Sequence, residues 1–188
     1  MRTALIVIDI QNDYFPGGRM PLDGMDAAAG NCQALLEKFR ALKAPTFIVQ
    51  HLFNIPAAPF FIPNTHGAEL HGCISPIAHD RVIVKNAVNC FLGTELLQGL
   101  QQAGVESVVI CGAMSHMCVD AAVRAAADFG FQCTLAHDAC ATCAQEFNGI
   151  TVPAECVHAA YMAALKFAYA NVVSTAEVLS NLSSRTDR

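Results

Sequence analysis

The sequence has no cluster of lysine and arginine: its 11 basic residues are scattered, and 16 acidic residues bring the net charge to −5. Binding a phosphate backbone takes several cations on one face, so nucleic acid is not an expected partner. No stretch reaches the roughly 18 apolar residues that a bilayer span requires, which argues against a membrane. The apolar run in MRTALIVIDIQNDYF is short, ends in an acid and lacks a small-residue cleavage site, so no signal peptide is expected and the cytoplasm is the expected compartment. Linkers, repeats and low-complexity tracts are missing as well, and only the final SSRTDR reads as a frayed tail. Charge is scarce, at 14% of residues against 54% hydrophobic. A chain of 188 residues with that balance builds one core, expected as a single domain over 1–188. Apolar surface is left over, so a homo-oligomer, dimer or tetramer, is expected.

Nine cysteines are present, an odd number, and most sit inside apolar runs such as AVNCFL, VVICGA and FQCTLA. That pattern describes reduced, buried thiols and not a disulfide framework. Short runs rich in Val and Ile alternate with stretches of helical period, the pattern of βαβ units around a parallel sheet. Strands are expected near 3–9, 45–50, 81–84, 106–111, 131–135 and 171–173, and helices near 24–42, 94–103, 118–129 and 153–169. Gly104 and Gly130 supply C-terminal stop signals for the second and third helices. Residues 51–80 fit neither period. With Pro56, Pro59, Pro63 and Pro76 they read as a long loop over one face of the sheet.

Open parallel sheets bind ligands beyond the carboxyl ends of their strands, so the residues there form a natural list of candidates. Asp9 ends TALIVID, His51 follows TFIVQ, Lys85 ends RVIVK, Cys118 lies just past SVVICG, and His137 and Asp138 follow CTLA. An acid, an amine and a thiol thus reach one edge from three strands. Asp9 lies in an apolar run, where a carboxylate needs a partner to offset its desolvation, and Lys85 is the obvious cation. Cys118 differs from the other cysteines because it opens a helix. The free N–H groups there, together with the Lys85 ammonium, are expected to lower its pKa below the usual value of about 8.5.

Three stretches resemble the isochorismatase-like cysteine hydrolases: ALIVIDIQNDYFPGG, VIVKNAVNCFLGTELLQGLQQAGV and VVICGAMSHMCVDAAVRAAADFGFQCTLAHDAC. The resemblance implies an α/β three-layer sandwich with a mainly parallel sheet of about six strands, Rossmann-like in form. It implies a triad of Asp9, Lys85 and Cys118 that cleaves a C–N bond of a small amide, lactam or ureide through a thioester or thiocarbamate. It further implies a cis peptide between Ala113 and Met114, which would aim the Met114 N–H, with that of Cys118, at the developing oxyanion. No cofactor is expected. Ser115 stands where many family members have Thr, keeping the hydroxyl. Nicotinamidases carry a D-x-H metal motif after the second strand, where this chain reads Gln50-His51-Leu52, so no metal is expected. Isochorismatases proper cleave a vinyl ether and typically lack the cysteine.

Other signals are weaker. Cys140 and Cys143 form a lone C-x-x-C without a second pair at zinc-ligand spacing. His66, His71 and Cys73 fall in a loop where the resemblance assigns such residues a structural role. A nicotinamidase-type deamidase, a vinyl ether hydrolase and a redox or interaction module stand as the competing functions. The substrate is expected to be small and mostly apolar, under a lid formed by residues 52–65 whose Phe53, Phe60 and Phe61 need a surface to cover, either the crevice or a neighbouring subunit. Phe15, Phe91, His51, Ser115 and His116 are the further expected substrate contacts.

Overall fold

The computed structural model describes residues 2–55 and 57–183. Pro56 and all but the first residue of the SSRTDR tail lie outside the described residues. Six parallel strands form the main sheet: β1 (Thr3–Ile8), β2 (Thr46–His51), β3 (Arg81–Lys85), β4 (Ser107–Ala113), β5 (Gln132–Ala141) and, after a small hairpin, β8 (Ala170–Val173). Their order is β3-β2-β1-β4-β5-β8, with every neighbouring pair parallel. The order reverses between β1 and β4, so a crevice opens beside the ends of those two strands.

The helices are α1 (Met25–Ala41), α2 (Leu96–Gln102), α3 (Asp120–Asp128), α4 (Ala154–Ala168) and α5 (Thr175–Ser183). Side chains of a strand alternate between faces, and β1 shows what that does here. Leu5 and Val7 join one core with Leu35, Leu36 and Phe39 of α1 and Val178 of α5. Ala4, Ile6 and Ile8 join the other with Leu100 of α2, Val123 of α3 and Leu165 of α4. The chain is therefore a three-layer α/β sandwich, as the resemblance implied. No helix of the described residues is long and apolar enough to cross a membrane.

Several elements depart from the expected pattern. Strand β5 does not stop at Leu135: a register irregularity against β4 absorbs His137 and Asp138, and pairing resumes at Gly112 with Cys140 and Ala113 with Ala141. Asp138 consequently stands away from the site and caps α5, its Oδ1 accepting from the Thr175 N–H at 2.7 Å and the Thr175 hydroxyl at 2.8 Å. An antiparallel hairpin of β6 (Gln145–Phe147) and β7 (Ile150–Val152), and helix α5, complete the elements that the expected list lacked. At Gly112, φ is +126° and any Cβ would run into the backbone of Ile8, so glycine alone lets β4 approach β1 there.

Candidate active site

Asp9 follows β1 directly, and its φ of +53° turns it out of the strand direction into the crevice. Its N–H still bonds to Val49 of β2. Lys85 ends the edge strand β3, in register with His51 at the end of β2. Cys118 sits in a single π-turn, Ser115–Val119, that leads from β4 into α3. All four side chains are buried. The long lysine stem crosses beneath the β2 end, and Nζ lies 2.9 Å from Asp9 Oδ2, 2.9 Å from His51 Nδ1, 3.2 Å from Cys118 Sγ and 3.1 Å from the Ala87 carbonyl.

Electrostatics decide the protonation of this group. Burial dominates at Asp9 and raises its pKa above the usual carboxylate value, although Lys85 opposes the shift. At Lys85 burial opposes the ammonium, yet the Asp9 charge, followed by the contact with Cys118, outweighs it and the pKa rises. Burial and the Lys85 charge push His51 down to about 3, so its ring is neutral. The Cys118 thiol reverses the sequence expectation. Burial, followed by the Asp9 charge, raises its pKa, because desolvation of a fully enclosed thiolate outweighs the Lys85 attraction.

One ligand atom each from Asp9, His51 and Cys118 lies within 4.8 Å of the others, a spacing that could grip a metal ion. The Lys85 ammonium sits in contact with all three residues and is the cation this donor set faces. Gln50, which replaces the ligand acid of the D-x-H motif, donates to the Ala68 carbonyl at 2.8 Å.

Residues 3–180 match the isochorismatase domain family. The chain belongs to the isochorismatase family. The uncharacterised member YddQ of Bacillus subtilis is 50% identical, over 93% of this chain and 97% of its own. A crystal structure of a protein from Oleispira antarctica superposes with a TM-score of 0.92 at 49% identity, covering 95% of this chain and 96% of the other. Streptothricin hydrolase of Streptomyces noursei is 36% identical over 74% of this chain, which spans 54% of that longer protein. Within the family frame, Cys118, His51 and Asp9, with the Lys85–Asp9 salt bridge, form the active-site cluster of this member.

The remaining residues named from the sequence fall into two groups. His51 and Phe53 are in ring contact at 4.3 Å, and Phe53 meets Phe60 edge-on at 5.2 Å. The loop aromatics do have a surface to cover: Phe61 is fully buried against Tyr14, Phe60 is half-buried against Tyr14 and Phe61, and Phe53 is half-buried against Phe60 and His51. Phe15 stacks on His71 at 3.8 Å and lines a separate cavity of about 410 Å³ with Asp13 and Gly67. Phe91 is buried in the same apolar layer as Cys118 and packs on Phe129 at 5.3 Å. Ser115 is fully buried, its hydroxyl 2.8 Å from His158 Nδ1 and 3.3 Å from the Ala141 carbonyl. His116 Nδ1 lies 2.6 Å from the Thr142 hydroxyl. These two pairs tie the π-turn to α4 and to the segment after β5. The Ala113–Met114 peptide is cis.

Three residues of the site escaped the sequence reading, all in the QNDYF run just after Asp9. Gln11 is buried and grips residue 51 on both sides: its Oε1 accepts from the His51 N–H at 2.8 Å and its Nε2 donates to the His51 carbonyl at 2.9 Å. Asp13 Oδ2 accepts from the Phe61 N–H at 2.7 Å, and Oδ1 from the Arg19 N–H at 3.1 Å, so one buried carboxylate pins the loop of residues 52–65. Tyr14 completes the aromatic wall against Phe61 at 4.5 Å. Three polar residues in a row beside an apolar strand were the available signal.

Proposed function

We propose that the protein is a cysteine-dependent hydrolase that cleaves a C–N bond in a small amide, lactam or ureide through a thioester or thiocarbamate. The observation that carries this reading is the buried Lys85 ammonium in simultaneous contact with the Asp9 carboxylate and the Cys118 sulfur. Burial disfavours a free thiolate, so attack and proton transfer go together: the sulfur forms a bond to the carbonyl carbon as Asp9 takes the S–H proton. In this reading the N–H groups of Met114 and Cys118 receive the oxyanion. The C–N bond then breaks and Asp9 passes its proton to the leaving nitrogen. Water adds to the thioester, Asp9 takes its proton, and the C–S bond breaks with that proton returned to sulfur. Lys85 stays charged throughout and keeps Asp9 and the sulfur in register. The name of streptothricin hydrolase fits a hydrolytic reading of this site.

Ammonia or amine release from a panel of small amides, lactams and ureides tests it, with mass spectrometry of quenched enzyme to catch the acyl adduct. Cys118→Ala should lower kcat by about 10⁴ or more, as loss of a nucleophile does in other hydrolases. Retained activity in that variant, or turnover with an adduct on no cysteine, would refute the thiol mechanism.

A further inference from the structure

Among the described residues, three buried side-chain atoms make no hydrogen bond, and they lie together: Asp9 Oδ1, Asp9 Oδ2 and His51 Nε2. Asp9 at least has the ionic contact with Lys85. His51 Nε2 has nothing comparable, and the identity of its proton follows from its neighbour. An ammonium has donors only, so Lys85 Nζ at 2.9 Å obliges His51 Nδ1 to accept. A neutral ring that accepts at Nδ1 carries its hydrogen on Nε2. The ring cannot easily turn away, because Gln11 holds the backbone of residue 51 on both sides and Phe53 covers one face at 4.3 Å. The neighbours Phe53 and Phe61 offer no oxygen or nitrogen to this donor. Natural folds leave few buried donors unpaired, and one left in an active site calls for a partner from outside the chain.

We propose that His51 Nε2–H is a substrate-recognition donor, and that the substrate carries a second hydrogen-bond acceptor beside its scissile C–N bond, as ureides and heteroaryl amides do. The inference rests on the hydrolase reading and narrows its substrate class. A wall of Phe53, Phe60 and Phe61, with the ring of Tyr14, selects for shape and apolarity, and the Tyr14 hydroxyl lies toward Asp9 and Cys118. The single N–H among these rings adds a polar criterion. A substrate that presents its own N–H at that point meets donor against donor. One that presents only C–H leaves the histidine unpaired, and sites of this kind discriminate strongly for that reason.

Two measurements test this. Nitrogen-15 NMR of histidine-labelled protein should show His51 neutral with Nε2 protonated and unchanged between pH 6 and 8, given Lys85, Asp9 and Cys118 as its ionisable neighbours. A proton on Nδ1, or a charged ring, overturns the proposal whatever the activity. Ammonia release is then compared within shape-matched pairs: benzamide against the three pyridinecarboxamides, and butyramide against acetylurea. At least one acceptor-bearing member should exceed its partner about tenfold in kcat/KM, and in His51→Phe that ratio should fall to about one. Turnover without acceptor preference, or a preference that survives in His51→Phe, overturns this inference and leaves the hydrolase standing. No release from any amide in wider screening, with no adduct on Cys118, overturns the hydrolase reading and this one with it.

Discussion

Replacing Lys85 with methionine keeps most of the side-chain volume and deletes the charge, and the structure sets how large and how pH-dependent the damage should be. Lys85 and Asp9 side chains are both fully buried and 2.9 Å apart. Removing one member of such a pair strands the other, at about 3–5 kcal/mol when the remaining group stays ionised. Asp9 has an escape, which is to take up a proton. Its pKa already stands above the usual carboxylate value because burial outweighs Lys85, and without Lys85 it climbs further. A carboxyl whose folded pKa exceeds its unfolded one favours the folded state at low pH, and that advantage is lost as pH rises through the folded value. The loss in Lys85→Met should therefore be small near pH 5 and approach the full amount near pH 8, with a slope of up to about 1.4 kcal/mol per pH unit while one proton separates the states. Urea unfolding of wild type and variant at pH 5, 6.5 and 8 measures this, read as midpoints at constant m. The double variant Asp9→Asn, Lys85→Met should recover most of the loss at pH 8 and flatten its pH dependence. Equal losses at pH 5 and pH 8, or none at either, would show that the buried pair does not hold the charges assigned to it.

Asp13→Ala should destabilise the fold by about 2–4 kcal/mol, since it strands the Phe61 and Arg19 N–H groups. It should also raise KM as the loop of residues 52–65 loosens, and unchanged KM with unchanged urea midpoint would discard Asp13 as the pin of that loop. Gly112→Ala should cost more than about 4 kcal/mol or abolish soluble expression, because a Cβ meets Ile8 backbone in a conformation with φ of +126°. Gly17→Ala is the control: φ is +89° but no atom lies within 4 Å of the new Cβ, so only the backbone term of about 1 kcal/mol applies. Similar losses in the two glycine variants would contradict the close approach of β4 to β1.

Strands made of Val and Ile declared themselves in the sequence, and so did the residues that end them, which is why Asp9, Lys85 and Cys118 could be placed at one edge before any coordinates. The full length of β5 could not. A polar His137-Asp138 pair looks like the end of an apolar strand unless the bulge is known, and bulges depend on the neighbouring chain. The β6–β7 hairpin does carry its two-residue Asn148-Gly149 turn, but its strands are three residues long and exposed, so their periodicity is too short to register. The thiol pKa was misjudged for a different reason. Helix position and a nearby ammonium are visible in a sequence, whereas enclosure by neighbours far apart in the chain is not, and enclosure is the larger effect at Cys118. The loop aromatics showed in the sequence that they need a surface, but not which one, since what covers Phe61 comes from Tyr14, nearly fifty positions earlier.

The lysine that completes the site hangs from the outermost strand, at one end of the order β3-β2-β1-β4, and reaches past its neighbour to partners just beyond the ends of two inner strands. Those partners stand 76 residues before it and 33 residues after it in the chain, both distances read from the numbering. Pairing of such remote segments closes large loops and is slow relative to helix formation. Helical signal in a refolding experiment can therefore return while the edge strand is still undocked, and a molecule in that state has its sulfur and its carboxylate but no ammonium between them. Recovery of the proposed hydrolysis during refolding therefore tests whether that half of the sheet has assembled, and a lag behind ellipticity is the expected result if the edge strand docks last.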